Sequence, residues 1–221
     1  MIQDERYNLK EIEEDTFLKI IKNRFVVGLD FDGVITAPHT LKSIYLKELG
    51  YAINEEEVER KHCIQKLKIK EEDYNKASSK AYLERPEKLP LEIHFDESFA
   101  EIKKIKEISL IIVTSRYDFM LNHLQEYLKY HKLRFHGIIN TNNESKIDAL
   151  KRIHSNIFID DGISKLEEIA EDKSFSDTCT LILYRNIQNK NAGILDRAIL
   201  EIDNWISLKE IIQMKFKEVF K

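Results

Sequence analysis

Five short apolar runs recur along the chain, with helix-length segments between them. They are Phe25-Val26-Val27-Gly28-Leu29, Leu110-Ile111-Ile112-Val113, Gly137-Ile138-Ile139, Ile157-Phe158-Ile159 and Leu181-Ile182-Leu183. Continuous apolar runs this short are typical of strands covered on both faces. Helical patterns separate them: Phe99, Ile102 and Ile105, then Phe119, Leu121, Leu124 and Leu128, then Ile147 to Ile153. Ser164 with Glu167 predicts the cap of a further short helix, and a last one starts at Ser207. Alternation of this kind implies a parallel sheet with helices on both faces, a three-layer, Rossmann-like α/β fold.

One stretch departs from the alternation. Residues 37–95 are charged and helical in pattern, with Leu41, Ile44, Tyr45 and Leu49 on one predicted face, stopped by Gly50. Asn54 with Glu57 has the form of a capping box opening a second helix, and Glu71 to Leu83 suggests a third. Pro86 and Pro90 punctuate the return. The expected organisation is an N-terminal helical extension over 1–23, its helix over 5–22 with Leu9, Phe17, Ile20 and Ile21 on its apolar face. A core follows over 24–36 and 96–221, with a helical insertion over 37–95. A chain of 221 residues is long enough for one domain with such an insertion.

Charge narrows the partners. The 35 Lys+Arg against 39 Asp+Glu give a net charge of -4, so no nucleic acid polymer is implied. Cys63 and Cys179 lack metal-ligand spacing and read as ordinary thiols of a reducing compartment. No apolar stretch reaches the roughly 18 residues of a membrane span, and the first residues lack a signal-peptide core. The expectation is a soluble, cytoplasmic protein; oligomeric state leaves no signal.

In open parallel sheets, ligands bind beyond the carboxyl ends of the strands. Asp30 and Asp32 follow the first run, Thr114, Ser115 and Arg116 the second, and Asp160 and Asp161 the fourth. Carboxylates held this close beside apolar neighbours repel one another, and each charge is costly there. A divalent cation offsets that cost most simply, and Mg2+ suits an oxygen-rich site shared with phosphate. Lys146 opens a predicted helix, where it opposes the macrodipole; a locally unfavourable residue is a functional suspect. Plainer readings exist: a strand-end cap for Thr114, a surface lysine for Lys146, a capping turn for Asp160-Asp161. The clustering at one edge favours the chemical reading.

Asp30-Phe31-Asp32-Gly33-Val34, Thr114-Ser115-Arg116, Lys146 and Asp160-Asp161 resemble the four motifs of the haloacid dehalogenase-like (HAD) superfamily in order, spacing and strand context. The resemblance covers residues 24–36 and 96–190. It implies Asp30 as nucleophile, forming an aspartyl-phosphate, and Asp32 as the acid and base that serves the leaving oxygen and then water. It implies metal ligation by Asp30, Asp160 and the Asp32 backbone carbonyl, with Asp161 holding a metal-bound water or orienting Lys146. Thr114, Ser115 and Lys146 would meet the phosphoryl group. Arg116 reaches a substrate anion or pairs with Asp118 at the surface, the pair being slightly favoured.

An acid at Asp32 points to phosphate-ester hydrolysis rather than dehalogenation. The insertion lies where a C1-type cap does, and its helices suggest a small lid. The plan looks like the 5'-nucleotidase C-type branch, which includes deoxyribonucleotidases, with Asn186 after a late strand and Trp205 before the last helix in weak agreement. Arg116 stands where that branch often has proline. The leading expectation is therefore a Mg2+-dependent phosphomonoesterase acting on a small phosphorylated metabolite, nucleoside 5'-monophosphates first. A sugar-phosphate phosphatase or phosphomutase, and an inactive binding module, are the alternatives. Tyr45, Tyr51, Tyr74 and Tyr82 could stack on a base, though core packing is favoured. Lys42, Arg60, Lys61 and Arg85 read as a solvated face rather than contacts to a charged leaving group. Of the histidines, only His39 and His94 stand near the insertion junctions.

Overall fold

A computed structural model describes residues 14–190, 193 and 198–220. The chain opens with α1 (Glu14–Ile21), so the part of the expected N-terminal helix before Glu14 lies outside the described residues. β1 (Phe25–Leu29) leads into α2 (Pro38–Glu48), a 3-10 turn at Glu55–Glu57, a π turn at His62–Lys66, and α3 (Glu71–Tyr82). Then come α4 (Phe95–Ile102), β2 (Ile108–Thr114), α5 (Leu121–Tyr130), β3 (Gly137–Asn140), α6 (Ile147–Arg152) and β4 (Ile157–Asp160). The chain finishes through α7 (Ile163–Glu171), α8 (Lys173–Ser176), β5 (Thr180–Tyr184), β6 (Leu200–Ile202) and α9 (Trp205–Val219).

The strands form one sheet in the order β3-β2-β1-β4-β5-β6, every neighbouring pair parallel. Side chains alternate across each strand, so the sheet divides the apolar residues into two cores. Phe25, Val27, Leu29, Leu110, Ile112 and Ile159 pack under α4, α5 and α9, with Phe95, Tyr127 and Trp205 the large fillers. Val26, Ile111, Val113, Phe158 and Leu183 face α1, α6, α7 and α8, through Phe17, Leu150, Leu166 and Phe175. This is the expected three-layer α/β arrangement. Both cysteines are buried and unpaired, and among the described residues no helix is long and apolar enough to cross a membrane.

Several local expectations need correction. The capping box forms, with the Asn54 amide donating to Glu57 at 2.8 Å, but it opens only a 3-10 turn. In α2 the buried stripe runs through Pro38, Leu41, Lys42, Tyr45 and Leu46, while Ile44 is exposed. α7 starts at Ile163 rather than at a Ser164 cap, because the Asp160 carboxylate accepts from the Gly162 amide at 2.8 Å and shapes that turn itself. β6 was not expected; two of its three residues are exposed, which leaves no apolar run to read.

The two connections of the inserted segment are stitched together at its base. Ala37 donates to the Pro90 carbonyl at 2.9 Å and Glu92 to that of Ile35 at 2.9 Å, around an antiparallel bridge between Thr36 and Leu91. His39 and Glu92 sit buried there, Nδ1 and Oε1 3.9 Å apart, and neither atom has a hydrogen-bond partner. Burial pushes the Glu92 carboxyl up to about 8 and the His39 imidazole down to about 4, so both are neutral near pH 7. His94 adopts a left-handed conformation before α4 and is exposed.

Candidate functional site

The order 3-2-1-4-5-6 reverses between β1 and β4, the crevice where open α/β sheets take ligands. Leu29 pairs with Ile159, and the Asp30 amide donates to the Ile159 carbonyl at 2.8 Å. The next residues in register, Asp30 and Asp160, therefore leave the sheet side by side. Asp161 follows directly, and one carboxylate oxygen from each of the three lies within 4.8 Å of the others.

Lys146, at the start of α6, sits between two of them, its Nζ 2.8 Å from Asp30 Oδ1 and 2.7 Å from Asp160 Oδ2. Burial alone would lower this lysine, but the Asp160 and Asp30 carboxylates outweigh it and hold its pKa above the ordinary value. Burial pushes Asp30 up to about 6 against the pull of Lys146. Asp161 rises to about 7, through burial first and then the Asp160 and Asp30 charges. Three carboxyls share one paired cation, so the cluster is short of positive charge. An all-oxygen donor set with that shortage fits a hard divalent ion such as Mg2+.

Asp161 does not reach Lys146. Its Oδ2 accepts from Asn186 Nδ2 and Gln188 Nε2, both at 2.8 Å, and its carbonyl from Asn189 at 2.8 Å. Asn186 also donates to the Gly33 carbonyl at 3.1 Å, tying the β5 loop to the turn after Asp32. Gly33 has φ of 82°, and a Cβ there would stand 2.1 Å from Asp161 Oδ2; only glycine fits. Trp205, fully buried, donates to the Val34 carbonyl at 2.7 Å and anchors the same turn to α9.

Asp32 stands apart from the three acids. Arg116 forks onto it, Nε to Oδ2 and Nη2 to Oδ1 each at 2.7 Å. The expected surface pair with Asp118 does not form; Asp118 accepts from Asn140 instead. Arg116 is buried with its guanidinium over Phe31 at 4.8 Å, and its planar fork grips Asp32 in a way that a lysine could not copy. Burial works against its charge, and the Asp32 carboxylate more than restores it. Thr114 is buried at the end of β2, with Oγ1 accepting from the Arg116 amide at 3.4 Å, and the Ser115 hydroxyl lies 3.2 Å from that of Thr141.

Asp30, Asp32, Thr114, Ser115, Arg116, Asp160 and Asp161 line one cavity of about 1290 Å3, with Gln188 and Asn189 beside them; Lys146 lies behind its acids. Pro38, Lys42, Tyr74, Ser78 and Tyr82 of α2 and α3 line it from the other side. Tyr45 and Tyr51 do not reach it: Tyr45 donates to Glu84, and Tyr51 to Asp73 at 2.5 Å. Arg85, paired with Glu87 at 3.2 Å, lies away from the cavity on a solvated face, whereas exposed Arg60, paired with Glu71, and exposed Lys61 line the cavity. Lys42 breaks that expectation by being 3 % exposed. Gln188 and Asn189 gave no sequence signal, because a loop amide acquires meaning only from the acid it meets.

No protein-family model matches the sequence, and no curated protein matches it. Solved structures do. A HAD-superfamily hydrolase from Ehrlichia chaffeensis superposes with a TM-score of 0.53 at 16% identity, over 87% of this chain and 98% of that one. A predicted phosphatase from Clostridium acetobutylicum gives 0.58 at 13% identity, over 86% and 99%. A HAD-superfamily hydrolase of subfamily IA from Geobacter sulfurreducens gives 0.52 at 15% identity, over 86% and 97%. At such identities the likeness is one of fold, and the fold is that of HAD hydrolases.

Proposed function

We propose that the protein is a Mg2+-dependent phosphomonoesterase of the HAD type, acting through an aspartyl-phosphate on Asp30. The observation that carries this reading is the convergence of Asp30, Asp160 and Asp161 at the sheet's switch point, with ligand oxygens within 4.8 Å. A bound Mg2+ would be held by Asp30, Asp160, Asp161 and the Asp32 carbonyl, and would neutralise charge on the phosphoryl group.

The chain's own groups divide the remaining work. Asp30 Oδ attacks phosphorus, and Lys146 lowers the repulsion between its carboxylate and an incoming dianion. Thr114 Oγ1 accepts from the Arg116 amide, so its own proton is free to donate to a phosphoryl oxygen, with the Ser115 amide as a second donor. Asp32 protonates the leaving oxygen and later takes a proton from water. Before it does so, one of its two hydrogen bonds to Arg116 must give way, and a substrate anion competes for that guanidinium. Residues 37–95 act as a cap over a core of 24–36 and 96–221, with 1–23 a helical extension. Closure over the cavity excludes water from the aspartyl-phosphate while it forms.

The substrate is a small phosphorylated metabolite, with nucleoside 5'-monophosphates the first class. In support of that class, Tyr117 and Phe119 stack 5.9 Å apart and 8° from parallel, both exposed, at the lining of the cavity. Tyr74 and Tyr82 line it as well. Exposed aromatic faces beside a phosphate site suit a base.

The test is phosphate release from a panel of nucleotides and sugar phosphates with Mg2+, beside an Asp30→Asn control. Preferred turnover of a hexose phosphate replaces the nucleotide class. An isomerised phosphate product means a mutase, and bound ligand without turnover means a binding module.

A further inference from the structure

Among the described residues three cations are buried at the cavity or its acids: Lys146, Arg116 and Lys42. Lys146 is committed to Asp30 and Asp160, and Arg116 to Asp32. Lys42 is equally hidden, yet no carboxylate of the described residues lies within ion-pair distance. Its Nζ has only the Tyr82 ring, 4.6 Å from the centroid. Its alkyl stem is packed away while the ammonium meets the cavity, and a ring face attracts it far less than an anionic oxygen would. Lys42 lies on the buried stripe of α2, one turn from Pro38 and one from Leu46, so helix phase holds it inward. It lines the same cavity as Asp30, Asp160 and Asp161.

We propose that Lys42 is an anion-binding residue whose counter-charge is supplied by the substrate, delivered to the phosphoryl site from the inserted helices. This inference rests on the phosphomonoesterase reading and deepens it. Two oxygens could meet the ammonium: one on the transferred phosphoryl group, or one on an acid group of the leaving half. The chemistry is shared, an anionic oxygen against an alkyl ammonium. Either way, substrate capture couples the sheet edge to α2, since the anion spans both.

The test compares wild type with Lys42→Met and Lys42→Arg, using the panel esters and, as a separate probe, orthophosphate with Mg2+. Lys42→Met is expected to raise KM about 10- to 100-fold, the worth of a hydrogen bond to a charged group, with a smaller change in kcat. Lys42→Arg recovers most of the loss. A parallel weakening of orthophosphate binding assigns the contact to the transferred group. Unchanged orthophosphate binding, with KM raised only for esters whose leaving half is anionic, assigns it to that half.

KM and orthophosphate affinity within twofold of wild type in Lys42→Met would overturn the proposal, as would a fall in kcat alone. If wild type hydrolyses no ester, the phosphomonoesterase reading fails by itself. Orthophosphate titration of wild type against Lys42→Met then decides the subsite independently, and Lys42→Gln replaces a methionine variant that does not fold.

Discussion

Lys146 and Lys42 reach one site from opposite sides, both with side chains largely packed away, at 2 % and 3 % exposure, but only Lys42 faces the cavity. Lys146 comes from the sheet edge and is clasped by two carboxylates of the core. Lys42 comes from the inserted helices and meets an aromatic ring instead of an acid. The first lysine closes a charge balance inside the chain. The second leaves one open, and its balance comes with the ligand. The sheet edge is thus built to hold repelling acids, and the insertion to receive an anion.

The largest expected effect falls on the acids. Asp30→Asn removes the proposed nucleophile and should lower kcat for phosphate release at least about 10³-fold. It leaves the Lys146–Asp160 pair in place, so stability without metal is maintained or increased. Retained turnover would mean that the edge acids only bind.

Lys146→Met should follow. It strands Asp30 and Asp160 as buried, unpaired neighbours, costing about 3–5 kcal/mol in urea denaturation without divalent ions. Added Mg2+ should recover part of the loss, because a ligand that binds only the folded state stabilises it. A cost under about 1 kcal/mol would erase the contrast between the two lysines.

A third test uses pH in metal-free protein. Asp30, Asp161 and Glu92 are raised from 3.8, 3.8 and 4.5 to about 6, 7 and 8. Between each pair of values the folded state binds more protons than the unfolded one. These contributions are complete below the unfolded values and are lost as pH rises through the folded ones. His39, lowered from 6.5 to about 4, contributes with the opposite sign and is lost as pH falls. Stability should therefore decline most cleanly from about pH 6.5 to 8, each group adding at most about 1.4 kcal/mol per pH unit. Glu92→Gln should flatten the part that belongs to the base of the insertion. A profile that rises over this window would contradict the burial of these groups.

Smallest is the effect of Lys42→Met on stability, expected within about 1 kcal/mol of wild type or slightly favourable, since an apolar chain replaces an unpaired charge. A loss comparable to that of Lys146→Met would reveal a partner inside the protein.

Much of this architecture was legible in the amino-acid order. Runs such as Phe25–Leu29 and Ile157–Phe158–Ile159 carry their strand identity locally, and the positions just past them mark the sheet's carboxyl edge. The resemblance to HAD motifs points to Asp30, Asp32, Thr114, Ser115, Arg116, Lys146, Asp160 and Asp161; Lys146 joins Asp30 and Asp160, Asp161 lies beside them, and Asp32, Thr114, Ser115 and Arg116 line the same cavity. Arg116 was misread because its two options, Asp118 two residues away and Asp32 distant in sequence, look alike until β1 and β2 are paired. The 3-10 and π turns of the insertion leave no local signal, because a capping box marks where a helix starts but not how far it runs.

By itself, then, the sequence determined five of the six strands, their alternation with helices and the edge on which hydroxyls and acids gather, because these follow from periodicity within a few residues. Tertiary structure alone decided which charges meet. Arg116 forks onto Asp32, Asn186 ties Asp161 to the Gly33 turn, and Lys42 turns inward on the Pro38–Leu46 stripe of α2. Electrostatic partnership depends on distance across the folded sheet and on helix phase against neighbours far away in the chain, neither of which local order contains.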